Sequence, residues 1–352
     1  MSHYVLSLTI APTLECNFEC KYCYEREKKI IKNITMGDAE EEKLLEFLTN
    51  KVSKIETLFI TWYGGEPLLE LNRIISLSNK MKQICKKNKC KFNAALITNG
   101  YLLHENILKN LENIGIKEIQ VTLDGSPEIH NSFRPLKGGK PTFSIILQNI
   151  KSVVNTQKFN LVIRVNISKQ NIHSYKVLLQ ILKEEGLKEK VQIYLGKIIS
   201  ESSSLASYCF DNFDYSVLEI DFLKSLLATD WNIKLPSLTK NTYCMANTLS
   251  GYGIDPKLNV YKCWEVIGKE EFKIGVIDEG KIKFNENLFH WLSDDVFNEK
   301  KCRNCKILPL CMGGCLARKM IAGERECITF KYSLSKKLIL FEQFYHKSKN
   351  PK

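Results

Sequence analysis

Between residue 4 and about residue 195, short apolar runs alternate with longer amphipathic ones, and no other feature limits the fold as strongly. The runs at 4–10, 57–61, 92–98, 118–122, 161–166 and 191–195 have the length of buried strands. Helical spacing fills the intervals at 39–49, 71–86, 105–113, 143–154 and 174–185. Asp38 followed by Glu41 reads as a capping box that opens the first helix. Strand–helix pairs in series imply a parallel sheet with right-handed crossovers. Six strands fall short of the eight that close a barrel, so residues 1–200 are expected to form an α/β fold, a partial (β/α)6 barrel. Binding groups then belong on the loops at the C-terminal ends of the strands.

Those loops carry the unusual residues. The first holds Cys16, Cys20 and Cys23, the second Gly64-Gly65-Glu66-Pro67, the third Thr98-Asn99-Gly100 and the fourth Asp124-Gly125-Ser126-Pro127. Beyond the barrel, residues 201–240 read as a linker, Ser-rich at its start, with a helix over 214–228. Residues 241–330 are dominated by cysteine and contain a hairpin around Asp255-Pro256-Lys257-Leu258-Asn259. Residues 331–352 form a tail with a closing helix at 332–345.

No apolar run approaches the ~20 residues of a membrane span, and the start lacks a secretory signal, so the expected location is cytoplasmic. There, 13 cysteines point to metal or catalysis rather than to disulfides. Cys16-x3-Cys20-x2-Cys23 puts three thiolates on one loop, which suits a four-iron, four-sulfur (4Fe-4S) cluster with one iron open to a small molecule. Structural zinc wants four closed ligands, and no fourth Cys or His lies nearby. The later group, Cys244, Cys263, Cys302, Cys305, Cys311, Cys315 and Cys327, suits either zinc or iron–sulfur by spacing alone. Cys85 and Cys90 read as structural or incidental.

With Tyr22 just before its third cysteine, the first motif resembles the signature of radical S-adenosylmethionine enzymes, and Gly64-Gly65-Glu66 falls at that family's methionine-binding turn. The resemblance implies that the cluster of Cys16, Cys20 and Cys23 chelates S-adenosylmethionine and reductively cleaves it to a 5′-deoxyadenosyl radical, which abstracts hydrogen from the substrate. Cofactor contacts are then expected from Tyr22, Gly64, Gly65, Glu66, Asn99, Thr122, Asp124 and Arg164, with Glu66 on the ammonium and Asp124 on the ribose. Arg164 lies within the fifth strand, where a charge is costly unless paired, so either the cofactor carboxylate or a structural acid should meet it. Arg134 is the candidate for the substrate side, and Tyr24, close to the cluster, is either a candidate catalytic residue or a shield for it.

The C-terminal cysteines resemble the SPASM domain, whose usual hairpin is matched by Ile254-Asp255-Pro256-Lys257-Leu258-Asn259-Val260-Tyr261-Lys262-Cys263. Leu258 replaces the expected glycine, and a γ-branched residue disfavours positive φ, so a different turn is expected there. By position, Cys302, Cys305, Cys311 and Cys327 would bind one auxiliary 4Fe-4S cluster, and Cys244, Cys263 and Cys315 the other. Some relatives carry a further cysteine before Cys244. Here either an iron stays open or Cys209 completes the set.

Among SPASM enzymes the phrasing is most like the maturases of ribosomally made peptides, which implies an oxidoreductase forming a thioether or carbon–carbon cross-link in a precursor peptide. The alternative is an anaerobic sulfatase maturase that makes formylglycine, against which the missing cysteine weighs. The resemblance also implies a low-potential donor such as flavodoxin or ferredoxin. With the first strand at about residue 4, leader recognition is expected from a separate protein, the barrel face or the tail. The net charge of +12 reads as solvated lysines with no dense basic block, so neither nucleic acid nor membrane is expected as a partner.

Overall fold

The computed structural model describes residues 5–23, 34–199, 206–231 and 244–349. Two compact units result. The first takes the chain to Thr122, then Asn131–Leu161 and Tyr243–Ser293; the second takes Leu123–His130, Val162–Thr242 and Asp294–Lys352.

In the first unit, β1 (Val5–Ile10), β2 (Thr57–Trp62), β3 (Lys91–Thr98) and β4 (Ile116–Thr122) lie side by side in chain order, all parallel. Their crossovers are α1 (Asp38–Val52), α2 (Leu71–Lys87) and α3 (Glu105–Asn113). Helix α4 (Pro127–Phe133), which periodicity did not reveal, is divided between the units after His130, and α5 (Phe143–Thr156) belongs to the first. Leu8, Ile10, Leu58, Ile60 and Trp62 are fully buried on the strands, as are Leu44, Phe47, Ile74 and Leu77 on the helices. The N-cap of α1 is Gly37, one residue before the expected one, and only half of a capping box forms there: the Gly37 N–H donates to Glu40 Oε2 at 3.1 Å, and glycine has no side chain to return the bond. Glu41 is instead turned inward, where Arg73 (2.9 Å), Lys80 (2.7 Å) and Ser76 (3.1 Å) meet its carboxylate. A buried acid needs such partners, and α2 supplies all three.

Cys85 and Cys90 find a structural place at the end of α2. Lys89 takes φ +56°. The Cys90 N–H reaches Cys85 O at 2.9 Å and the Lys89 N–H reaches Lys86 O at 3.3 Å. This is a Schellman closure, whose two flanking residues face each other as an apolar pair. Both cysteines are buried, and burial, with Cys90 adding, pushes the Cys85 thiol up to about 12.

Strands β7 (Gly251–Ile254), β8 (Asn259–Tyr261), β9 (Gly275–Asp278) and β10 (Lys281–Phe284) continue the same sheet: β7 pairs with β1 in parallel, and the remaining three follow antiparallel. They cover the free edge of β1, which would otherwise expose unpaired backbone groups. The β7–β8 hairpin is as expected, but its turn is not. Leu258 occupies the left-handed region at φ +63°, so the turn of the glycine-bearing hairpin survives the substitution. Asp255 holds the turn, with Oδ1 accepting from Lys257 N (2.8 Å) and Asn259 N (3.0 Å) and Oδ2 from Asn259 Nδ2 (2.9 Å) and Tyr261 Oη (3.0 Å). The Leu258 side chain is only 1% exposed. Burying leucine is worth about 1.5–3 kcal/mol, which offsets the roughly 1–2 kcal/mol cost of left-handed backbone. Leu258→Gly is therefore expected to destabilise the protein by about 1–2 kcal/mol in a urea melt, although it relieves the backbone.

In the second unit, β5 (Asn160–Ile167) and β6 (Gln192–Lys197) pair in parallel, with α6 (Ser174–Glu184) between them. Helix α7 (Asn212–Ala228) lies against the terminal helix α9 (Phe330–Lys349), and α8 (Leu316–Ala322) precedes that helix. Buried Lys337 on α9 reaches Glu219 on α7 at 2.8 Å, and Tyr215 Oη donates to Leu195 O at 2.8 Å. Among the described residues no helix is long and apolar enough to cross a membrane.

Candidate functional site

The loops after β1, β2 and β3 are bound to one another. The Gly65 N–H donates to Thr13 O (3.2 Å) and the Glu66 N–H to Glu15 O (2.7 Å), so the glycine turn is seated on the cysteine loop. Gly64 takes φ +126°, and a Cβ there would stand 2.3 Å from Thr13 O. A Cβ on Gly65 would stand 2.1 Å from Glu15 O. Only glycine lets the two backbones approach this closely.

Glu66 was expected to face the cofactor ammonium. Its side chain is instead 0% exposed and filled by protein donors. Oε1 accepts from Leu68 N (3.0 Å) and Thr98 Oγ1 (2.7 Å), and Oε2 from Asn99 N (2.7 Å). Burial pushes its carboxyl above the ordinary range against these donors. Glu66 thus ties the loop after β2 to the loop after β3. Asn99 extends the tie: Nδ2 donates to Asn17 Oδ1 at 2.7 Å and reaches Cys16 Sγ at 3.9 Å, while Oδ1 accepts from Tyr101 N at 2.9 Å. The Phe18 N–H also points at Cys16 Sγ, 3.4 Å away. Burial, followed by the nearby Glu66 carboxylate, pushes the Cys16 thiol up to about 12. Cys20 is buried and Cys23 half-buried.

A strap over the cysteine loop was not foreseen. Residues 133–137 pair with it through Lys21 N to Phe133 O (2.9 Å), Glu19 N to Pro135 O (2.9 Å) and Lys137 N to Asn17 O (2.9 Å), with a bridge between Phe18 and Leu136. Arg134, the candidate for the substrate side, belongs to this strap. It is buried, its guanidinium donates to Tyr22 Oη at 2.8 Å and it lies over the Phe18 ring at 5.6 Å. It positions Tyr22 and the loop. Pairing between residues more than a hundred positions apart leaves no periodic trace. Arg134 among apolar neighbours was the signal available. Tyr24 lies outside the described residues.

Thr122, which ends β4 in the first unit, is buried. In the second unit, Asp124 is fully buried, with Oδ1 accepting from Asn166 N at 2.8 Å, and it secures the end of β5. Arg164 was expected to meet a carboxylate. It makes no ion pair among the described residues: its Nε donates to Asn166 Oδ1 (2.8 Å) and its head lies over the Tyr194 ring at 5.9 Å. Gly196 makes room for it, since a Cβ there would stand 2.5 Å from Nε.

Four cysteines of the second unit, Cys302, Cys305, Cys311 and Cys327, line one pocket together with Lys301 and Lys331. Arg325 braces it by donating to Gly313 O at 3.0 Å and pairing with Asp294. Cys315 is exposed and bridges to Glu326, and Cys209 is half-buried ahead of α7. In the first unit Cys263 is buried and Cys244 exposed. Among the described residues no three His, Cys, Asp or Glu side chains are closed around a single metal ion.

Residues 10–182 match the Radical SAM superfamily model. An uncharacterized protein of Methanocaldococcus jannaschii is 31% identical over 163 residues, 46% of this chain and 50% of that one. A cysteine-type anaerobic sulfatase-maturating enzyme of Clostridium novyi is 24% identical over 339 residues, 89% of this chain and 88% of the enzyme. Among solved structures, native anSMEcpe with bound AdoMet and Cp18Cys peptide superposes with a TM-score of 0.76 over 99% of this chain and 100% of that one. At 21% identity that likeness is one of fold. The α/β fold with its parallel core, the cysteine loop seated on a glycine turn, and the matched model agree: residues 10–182 of this chain form a domain of the radical SAM superfamily.

Proposed function

We propose that this enzyme oxidises a cysteine or serine side chain of a protein or peptide to formylglycine. The carrying observation is the match along 89% of the chain to the Clostridium novyi sulfatase-maturating enzyme. It moves this reading ahead of peptide cross-linking, which the motifs alone placed first. Cross-linking keeps one specific support: no cysteine lies between Cys209 and Cys244 to complete a four-thiolate auxiliary set.

The residues present fit an iron–sulfur centre at the first loop. Cys16 Sγ already faces two N–H donors, from Phe18 and Asn99, and such donors stabilise cluster thiolates. In this reading Cys16, Cys20 and Cys23 hold the cluster, and Glu66, Asn99 and Arg134 fix the loop that carries them. S-adenosylmethionine supplies the radical that takes a hydrogen atom from the substrate Cβ. Arg164, with no acid of its own among the described residues, is the cation for the cofactor carboxylate. Cys302, Cys305, Cys311 and Cys327 hold one auxiliary cluster, and Cys244, Cys263 and Cys315 serve the other. For serine, the side chain loses two hydrogens; for cysteine, water also enters and hydrogen sulfide leaves. Either way a proton leaves to solvent, and an auxiliary cluster held by these cysteines would be the acceptor for the second electron.

The test is anaerobic incubation of the reconstituted enzyme with cysteine- and serine-bearing peptides of a sulfatase motif, S-adenosylmethionine and reductant. An aldehyde-reactive hydrazide should then label the product. A product that has lost two hydrogens but carries no aldehyde would favour cross-linking. Replacing Cys16, Cys20 and Cys23 with Ala should abolish 5′-deoxyadenosine formation while the auxiliary iron remains.

A further inference from the structure

The four-cysteine pocket of the second unit contains one contact that helix architecture does not explain. Lys331 Nζ stands 3.3 Å from Cys327 Sγ. Lys331 lies in the short turn ahead of Ser333, whose non-helical backbone (φ −138°) interrupts α9. It forms no ion pair with a carboxylate among the described residues, and its other neighbour is the Tyr332 ring at 5.9 Å. The other charges at the pocket are differently placed. Lys301 lines it without a hydrogen bond to sulfur among the described residues. Arg325, which acts on Cys302, is paired with Asp294 and lies 3.6 Å from Glu299.

We propose that Lys331 raises the reduction potential of the cluster at Cys302, Cys305, Cys311 and Cys327 through a charge-assisted hydrogen bond to the Cys327 thiolate. The inference rests on the reading of those four cysteines as a cluster site. Adding an electron makes the cluster more negative, so a fixed cation at a ligating sulfur favours the reduced form. Hydrogen bonds to cluster sulfurs are one of the known determinants of potential. The bond also has a consequence for the reaction, because it makes this cluster the better electron acceptor.

The experiment is an EPR-monitored redox titration of the reconstituted holoenzyme, with iron and sulfide counted for every sample. Lys331→Met is expected to keep its iron and to lower the reduced-to-oxidised ratio at a given potential about tenfold, equal to ~59 mV for a one-electron couple. Lys331→Arg should stay near the parent, and Lys301→Met should move the potential much less. Full iron with an unchanged potential in Lys331→Met overturns the inference. So does an equal shift in Lys301→Met, which would make the effect one of general charge. Should Lys331→Met shed the cluster, Lys331→Gln, polar but uncharged, takes its place in the titration with the same expected fall. A different failure would mark the underlying reading: if Cys302→Ala and Cys327→Ala lose no iron relative to the parent, the four cysteines hold no cluster.

Discussion

Glu66→Ala is expected to destabilise the first unit by about 4 kcal/mol and to empty the first cysteine loop of iron. The substitution strands three buried donors, the N–H groups of Leu68 and Asn99 and the hydroxyl of Thr98, and leaves a cavity where the carboxyl was. Each orphaned donor costs about 1–3 kcal/mol, and the loops after β2 and β3 lose the bridge between them. Glu66→Gln separates the tie from the space. An amide has one acceptor oxygen, whereas donors approach both oxygens of Glu66, so one N–H must face the amide nitrogen. Its expected cost is about 1–2 kcal/mol, with part of the iron retained. Urea melts of the reduced apoprotein and iron per chain read both effects. A Glu66→Gln protein as stable and as fully loaded as the parent would show that the tie is dispensable.

Gly65→Ala is expected to have the second large effect, by a different route. The added methyl would lie 2.1 Å from Glu15 O and 2.6 Å from Leu14 O, and both obstacles are backbone. No rotamer relieves the contact, so the cysteine loop must move, at about 2–4 kcal/mol of local distortion. The expected result is a folded protein by circular dichroism that fails to retain the iron of Cys16, Cys20 and Cys23 and forms no 5′-deoxyadenosine. Gly138→Ala is the control. It also has positive φ, +88°, but a Cβ there meets nothing within 4 Å. It should leave the iron content unchanged, because strain without collision stays in the exposed turn.

The parallel strands were legible because their apolar runs recur at intervals a crossover helix can fill. Each of β1–β6 lies within a residue or two of its expected position. The cysteine loop, the glycine turn and the hairpin at Asp255 were legible because backbone chemistry demands those residue types. Helix α4 was missed because a seven-residue helix offers too few turns for a period. The displaced cap of α1 has a related cause. Asp38 and Glu41 satisfy the side-chain pattern and Gly37 does not, and only the position of Arg73, Lys80 and Ser76 on α2 decides that Glu41 turns inward.

By itself the sequence determined the α/β class, the order of strands and helices, and which loops carry thiols. These follow from local periodicity and from the few residue types that a turn or a thiolate site accepts. Only the tertiary structure decided what those residues face. Glu66 is consumed by the protein, Arg134 braces Tyr22, Leu258 keeps a left-handed turn because its side chain is buried, and β7 closes the edge of β1 from far along the chain. Each of these outcomes is set by partners distant in sequence. A buried acid, cation or strained turn persists only where such partners repay its cost, and no local pattern records where they lie.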